Sequence, residues 1–268
     1  MLGGGLLAAP ALSRAQTNET LRTIASLRTI HGDFSDKAIP DADIEQILGA
    51  SVRAASASAM QSYSIVVVRD PEAQRTICGY RGSCLLVYFL DYTRSIATAK
   101  RLGHEFAPND MEWFVTGSTN TMLAVQTAVI AAKSMGIDSL LTNGVHRGKM
   151  ERLWEMLGLP QKYCFPLIAL VLGYAAKEPA YKKGRLNGPG IVHRGTYRRL
   201  TDEEADAIVR QYDNKALHLA LDEDWDKKGH KHYLDWFHKE WLGRNRQPGE
   251  TQILQRIRLA GFAESAGS

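Results

Sequence analysis

Residues Met122 to Ala132 read MLAVQTAVIAA, and only Gln126 and Thr127 among them are polar. A helix that is apolar all round belongs in an interior. At about 1.5 Å per residue this one is far shorter than the roughly 20 residues that cross a bilayer. The interior must therefore be supplied by protein. Gly136 ends the helix, and apolar runs elsewhere in the chain supply what surrounds it.

Three such runs read as strands: Tyr63 to Val68, Cys84 to Leu90 between Gly82 and Asp91, and Phe165 to Leu172 closed by Gly173-Tyr174. Unbroken apolar runs of this length suit strands covered on both faces. Amphipathic helices supply the cover. One starts at Pro40-Asp41 and carries Ile44, Ile47, Leu48, Val52 and Ala55 on one face; Asp41, Asp43 and Glu45 complement its dipole. A shorter one carries Met150, Leu153, Trp154 and Leu157 and stops at Gly158 and Pro160. Thr201 to Glu204 is a capping box for a late helix. The fold class is α+β: sheet strands around a central buried helix. Residues 1–18 form a lead-in, 19–200 the main domain and 201–268 a helical, aromatic extension.

Lys+Arg 33 against Asp+Glu 29 gives a net charge of +4, without the basic excess of a nucleic-acid partner. No segment is long and apolar enough for a membrane span. Cys78, Cys84 and Cys164 lack metal-ligand spacing and read as buried, inert thiols. Leu6 to Leu12 followed by Ser13-Arg14-Ala15 has the form of the back half of a secretory leader, without its basic front half. Two readings stand: a residual leader with export, or a lead-in to a cytoplasmic protein, the default.

Several motifs fail. Gly188-Pro189-Gly190 lacks the third glycine of a dinucleotide fingerprint, and the stretch from Gly144 to Met150 has the wrong spacing for a phosphate loop. His230, His232, His238 and Asp235 stand beside Lys227, Lys228 and Lys231, which favours a solvated surface over a metal site. No nucleophile motif and no metal site is assigned.

Four separated segments remain: Leu27 to Phe34, Ala54 to Tyr63, Gly136 to Gly144, and Lys183-Gly184-Arg185. Each offers polar or cationic groups to a phosphorylated planar ligand. Their order and spacing resemble the nitroreductase family of FMN enzymes from about Thr20 to Arg185. Pro166 to Tyr174 matches that family's Pro-to-Gly-Tyr strand. The chain departs from the pattern at Leu27 (a basic residue in the family), at the pair Gly32-Asp33 (one residue), at Ala55 (Pro), Ala59 (Asn) and Ser62-Tyr63 (Pro-Trp).

The resemblance implies an α+β sandwich with a central antiparallel sheet, built as an intertwined homodimer that binds FMN in interface clefts. It implies an oxidoreductase that passes hydride from NAD(P)H through flavin N5 to a small oxidised acceptor, a nitroaromatic or quinone, in ping-pong fashion. Specialised relatives suggest reductive dehalogenation or flavin breakdown instead. A non-enzymatic flavin- or metal-binding module is the third reading. The cofactor contacts it implies are Arg28, Lys183 and Arg185 at the phosphate, and Thr29, Ser56 and Gln61 at the ribityl chain or ring edge. Asn143 and Gly144 would offer backbone N–H groups to the ring, with Asn120 an additional contact. His31 is either a tuner of the reduced flavin or a capping or core histidine. The flavin carries the chemistry, so no catalytic side chain is required. A homodimer also follows from the apolar helix 122–132 and from an aromatic tail (Trp225, Tyr233, Trp236, Phe237, Trp241) with no evident core of its own.

Overall fold

The structure is a computed structural model that describes residues 18–146, 150–243 and 252–263. The leader-like segment therefore lies outside the described residues. Two compact units divide the chain, residues 1–178 with 250–268, and residues 179–249.

The first unit is built on four antiparallel strands in the order β1-β2-β4-β3: β1 Tyr63–Val68, β2 Cys84–Asp91, β3 Asp138–Thr142 and β4 Cys164–Gly173. Every residue of β2 is buried. An antiparallel sheet often wets one face; here both faces are covered. Cys84, Leu86, Tyr88, Leu170 and Leu172 pack with helix α2 (Asp41–Val52) and helix α5 (Met111–Ser134), through Ile44, Ile47, Ala124, Val125 and Ala128. Leu85, Val87, Phe89, Ala169 and Val171 face the other way. They pack with Ile77 of α3 (Pro71–Cys78), Leu153 and Trp154 of α6 (Met150–Leu157), and Phe262. The alternation follows the two-residue period of a strand.

The alternation slips once. Tyr88 pairs with Ile168 but Phe89 with Pro166, so Leu167 is an extra residue in β4. Proline has no N–H to give a ladder and is tolerated at such a bulge.

Helix α5 is longer than the apolar run suggests, and one face is buried: Gly117, Asn120, Thr121, Ala124, Val125, Ala128, Val129 and Ala132. Met111, Val115, Met122 and Leu123 are exposed. The expectation of burial all round is thus met on the sheet side only within one chain. Asp110 caps the helix, accepting from the N–H groups of Glu112 and Trp113. Gly117 lets it approach β2: a Cβ there would meet Leu90 Cγ at 2.7 Å.

The remaining helices of this unit are α1 (Glu19–Ala25), α4 (Thr93–Arg101) and, after the second unit, α9 (Gln252–Leu259). The second unit carries α7 (Asp202–Asp213), whose capping box is formed as expected, and α8 (Tyr233–Trp236). Here the structure corrects the sequence reading of the tail. Ala220, Trp225, Tyr233 and Trp236 are buried together, with Tyr212, Leu234 and Phe237 against them. Asp213 fixes the arrangement by accepting from the Tyr233 N–H at 2.8 Å and lying 2.6 Å from His232 Nδ1. The aromatic residues have a core because α7 provides it.

The three cysteines are buried and free, and burial pushes the Cys84 and Cys164 thiols up to about 11 and about 12. Among the described residues no helix is long and apolar enough to cross a membrane, and no His/Cys/Asp/Glu group has metal-binding geometry. Gly117→Ala should overpack the contact between α5 and β2 and lower stability by about 1–3 kcal/mol, read by denaturant unfolding.

Candidate functional site

The first segment is stitched to the sheet margin. The Ile30 N–H donates to the Ser139 carbonyl at 3.1 Å, and Thr29 bridges to Ser139 at the free edge of β3. Further on, Ser35 N–H donates to Tyr174 O and Ala176 N–H to Asp33 O. Phe34 lies on Gly173, where a Cβ would come within 2.7 Å of its ring. Between these anchors the extra residue of the motif is absorbed in a tight turn. Gly32 has φ +88° and donates to Ile30 O, a conformation that favours glycine. Thr29 and His31 are left exposed, with the His31 ring 5.5 Å from that of Tyr80.

Arg28 is held differently. Its Nε and Nη2 donate to the two oxygens of Asp138 at 2.9 and 2.8 Å, a bidentate pair. Lys133 Nζ reaches Asp138 at 2.9 Å from the other side. Burial alone would raise the Asp138 carboxyl, but Arg28 and Lys133 together hold it below the usual aspartate range. The third nitrogen of Arg28, Nη1, donates to Glu178, whose side chain is 77% exposed.

The second segment is a strained loop before β1. Ser58, Ala59 and Gln61 all have φ between +46° and +52°. Each such non-glycine residue costs about 1–2 kcal/mol and persists only where its surroundings enforce it. Asn120 enforces it from the interior of α5. Its Oδ1 accepts from the Ala57 N–H and its Nδ2 donates to Ser62 Oγ, both at 2.8 Å, and the side chain is fully enclosed. Asn120 therefore acts on the loop. Ser56 Oγ accepts from the Gln61 N–H at 2.8 Å, and the Gln61 side chain is exposed.

The third segment leaves β3 through a single 3-10 turn, Asn143–His146. Asn143 is exposed. Gly144 is buried, and its N–H donates to Thr142 Oγ1 at 3.0 Å. A Cβ at Gly144 would fall 2.3 Å from the Cys78 carbonyl oxygen, so only glycine allows this approach to the end of α3. A cavity of about 470 Å³ opens there, lined by Arg75, Thr76, Ile77, Cys78, Gly79, Tyr80 and Gly144. Tyr80 joins this wall to His31, a link no sequence motif announces. His146 is half-buried, held below its usual range by burial, with Nε2 3.0 Å from the Pro166 carbonyl.

The fourth segment belongs to the second unit. There Lys183 Nζ pairs with Glu223 at 2.9 Å, and Arg185 is exposed, donating to the carbonyls of Lys183 and Gly184.

The sheet register decides which of these groups meet. Tyr63 pairs with Leu90, which pairs with Phe165 at the start of β4. Asp138, and with it Arg28, sits opposite Gly173 at the end of β4. The eight steps of β4 between them span about 25 Å. Arg28, Thr29 and His31 thus stand near the Gly173 end, while Gly144 follows Thr142, which pairs with Ala169. Ser56, Gln61 and Asn120 stand at the far end of the sheet in the same chain.

The profile of the nitroreductase family matches residues 24–111. Over that third of the chain it is similar to the nitroreductase family. It is 29% identical over 209 residues to an FMN reductase, NAD(P)H, of Bacillus subtilis, which covers 74% of this chain and 81% of that protein. It is 28% identical over 255 residues to an NADPH-flavin oxidoreductase of Vibrio harveyi, covering 92% of this chain and 99% of that one. The structure of a hypothetical oxidoreductase of Bacillus subtilis, YcnD, superposes with a TM-score of 0.77 at 25% identity, over 92% of this chain and 98% of that chain. The nitroreductase-like α+β fold expected from four segments is matched by the NfrA1 nitroreductase structure of Bacillus subtilis, with a TM-score of 0.77 at 24% identity over 91% of this chain and 98% of that chain.

The carboxylate of Asp138 gives one check on this geometry. Its folded pKa lies below the ordinary value near 3.9, so its contribution to stability is complete above that value and is lost as pH falls through the lower one. Unfolding free energy measured from pH 5 down to pH 2 should fall less steeply in Asp138→Asn than in the parent.

Proposed function

We propose that this chain is an NAD(P)H-dependent oxidoreductase that uses FMN and works as a homodimer. The observation that carries the reading is the separation of the implied cofactor contacts to opposite ends of one sheet. Arg28, Thr29 and His31 stand at one end; the braced loop with Ser56 and Gln61 stands at the other. One ligand can use both sets only if a second copy supplies one of them. The exposed apolar residues of α5 (Met111, Val115, Met122 and Leu123) give that second copy a surface to cover. The relatives' names, an FMN reductase and a flavin oxidoreductase, favour the same cofactor.

The donor set suits a phosphorylated flavin. Arg28 is rigid on a buried carboxylate, and its remaining nitrogen, Nη1, meets only the exposed Glu178, whose place a phosphate oxygen can take. Lys183 and Arg185, in the second unit, are cations of the kind that pair with a phosphate dianion. The Thr29 and Ser56 hydroxyls and the Gln61 amide oxygen, whose Nε2 donates to the Val52 carbonyl at 3.3 Å, can bond ribityl hydroxyls or a ring edge. Gly144 borders the cavity with exposed Asn143 beside it in the chain, and Asn120 keeps the loop before β1 in its strained form. When bound, FMN supplies the capacity to take a hydride from a reduced nicotinamide and pass it on. The chain's part is to anchor, orient and limit access. His31, exposed beside Tyr80, is the candidate tuner of the ring. A cavity of about 470 Å³ admits a small planar acceptor such as a nitroaromatic or a quinone, and alternate visits by nicotinamide and acceptor make the kinetics ping-pong.

The test is the visible spectrum of the purified protein. It should be yellow, release FMN on denaturation, and bleach with NADH or NADPH under nitrogen, then recover on addition of a quinone. A colourless protein that takes up no added FMN overturns the reading. Light scattering at micromolar concentration should return twice the chain mass of 29.7 kDa; a monomer overturns the shared site.

A further inference from the structure

The cluster around Arg28 contains one partner more than it needs. Asp138 takes the Nε–Nη2 edge of the guanidinium and is itself 5% exposed and held by Lys133. That pair is interior structure: removing either member would strand a buried charge. Glu178 is of another kind. It touches only Nη1, its side chain stands largely in water, and it is the last residue of the first unit before Pro179. An ion pair this exposed contributes about 0–1 kcal/mol. It is the one carboxylate of the cluster that can leave without cost to the fold.

We propose that Glu178 is a built-in competitor that holds the place of the ligand's phosphate on Arg28. This rests on the function proposed above and adds how the phosphate site is regulated. Formal charge supports it. Arg28 and Lys133 balance Asp138 and Glu178, so the cluster is neutral while Glu178 is docked and carries +1 when it swings away. A dianionic phosphate monoester meets a repelling carboxylate in the first state and an open, positive guanidinium edge in the second. Displacing Glu178 is therefore part of binding. The chain discriminates less between phosphorylated and unphosphorylated flavin than its cations would allow.

Glu178→Gln removes the competing charge and leaves the Arg28–Asp138 pair untouched. The probes are FMN and riboflavin, each titrated by quenching of flavin fluorescence. Displacing an exposed pair worth about 0.2–1 kcal/mol corresponds to about 1.5- to 5-fold. FMN should bind Glu178→Gln tighter by that factor, and riboflavin should bind as to the parent. Glu155→Gln, the same charge change on an exposed residue of α6, should alter neither. In an Arg28→Gln background the gain from Glu178→Gln should vanish. Unchanged or weaker FMN binding, an equal gain for riboflavin, or a gain that survives Arg28→Gln overturns the competitor while leaving the flavin function standing. Failure of parent and variant to quench either flavin overturns both.

Discussion

The pairing of β2 with β4 is the constraint on which the rest depends. Both strands are apolar on both faces, so neither can sit at an edge or wet a side. They take the middle of the sheet and require a helical layer on each face. α2 and α5 supply one layer, and α3, α6 and the segment around Phe262 supply the other. Once the faces are filled, groups that must meet a ligand have only the ends and free edges of the sheet. The first three of the four segments rich in polar and cationic residues are found there.

Much of this was legible in the chain. The runs at 84–90 and 165–172 announce doubly covered strands by composition alone. The glycines at 136 and 158 end helices as their positions suggest, and the capping box at Thr201 forms. What escaped depends on partners far away in sequence. Nothing near Asp138 marks it as the clamp of Arg28, because that bond joins residues 110 apart through the parallel approach of Thr29 to β3. Asn120 looks like a candidate ligand contact until its two amide ends are found on Ala57 and Ser62. Glu178 carries no motif, and its meaning comes only from which edge of Arg28 it occupies.

Two expectations changed for physical reasons. The apolar helix was read as enclosed on every side, but a single chain supplies cover for one side, leaving an oily stripe outward. The tail's aromatic residues were read as needing a partner, but Asp213 and Tyr212 at the end of α7 give them an interior. Hydrophobic composition identifies what must be covered. Which chain provides the cover is a matter of topology.

The return of the chain after the second unit has its own consequence. α9 rejoins the first unit, with Arg256 stacked over Trp154 at 3.8 Å and Tyr163 N–H donating to Ala260 O. Residues 179–249 are therefore an insertion rooted at both ends, and Lys183 stands five residues past Glu178. A chain that leaves and re-enters one unit closes a loop, and the entropy of that closure is part of what the contacts of α9 must offset.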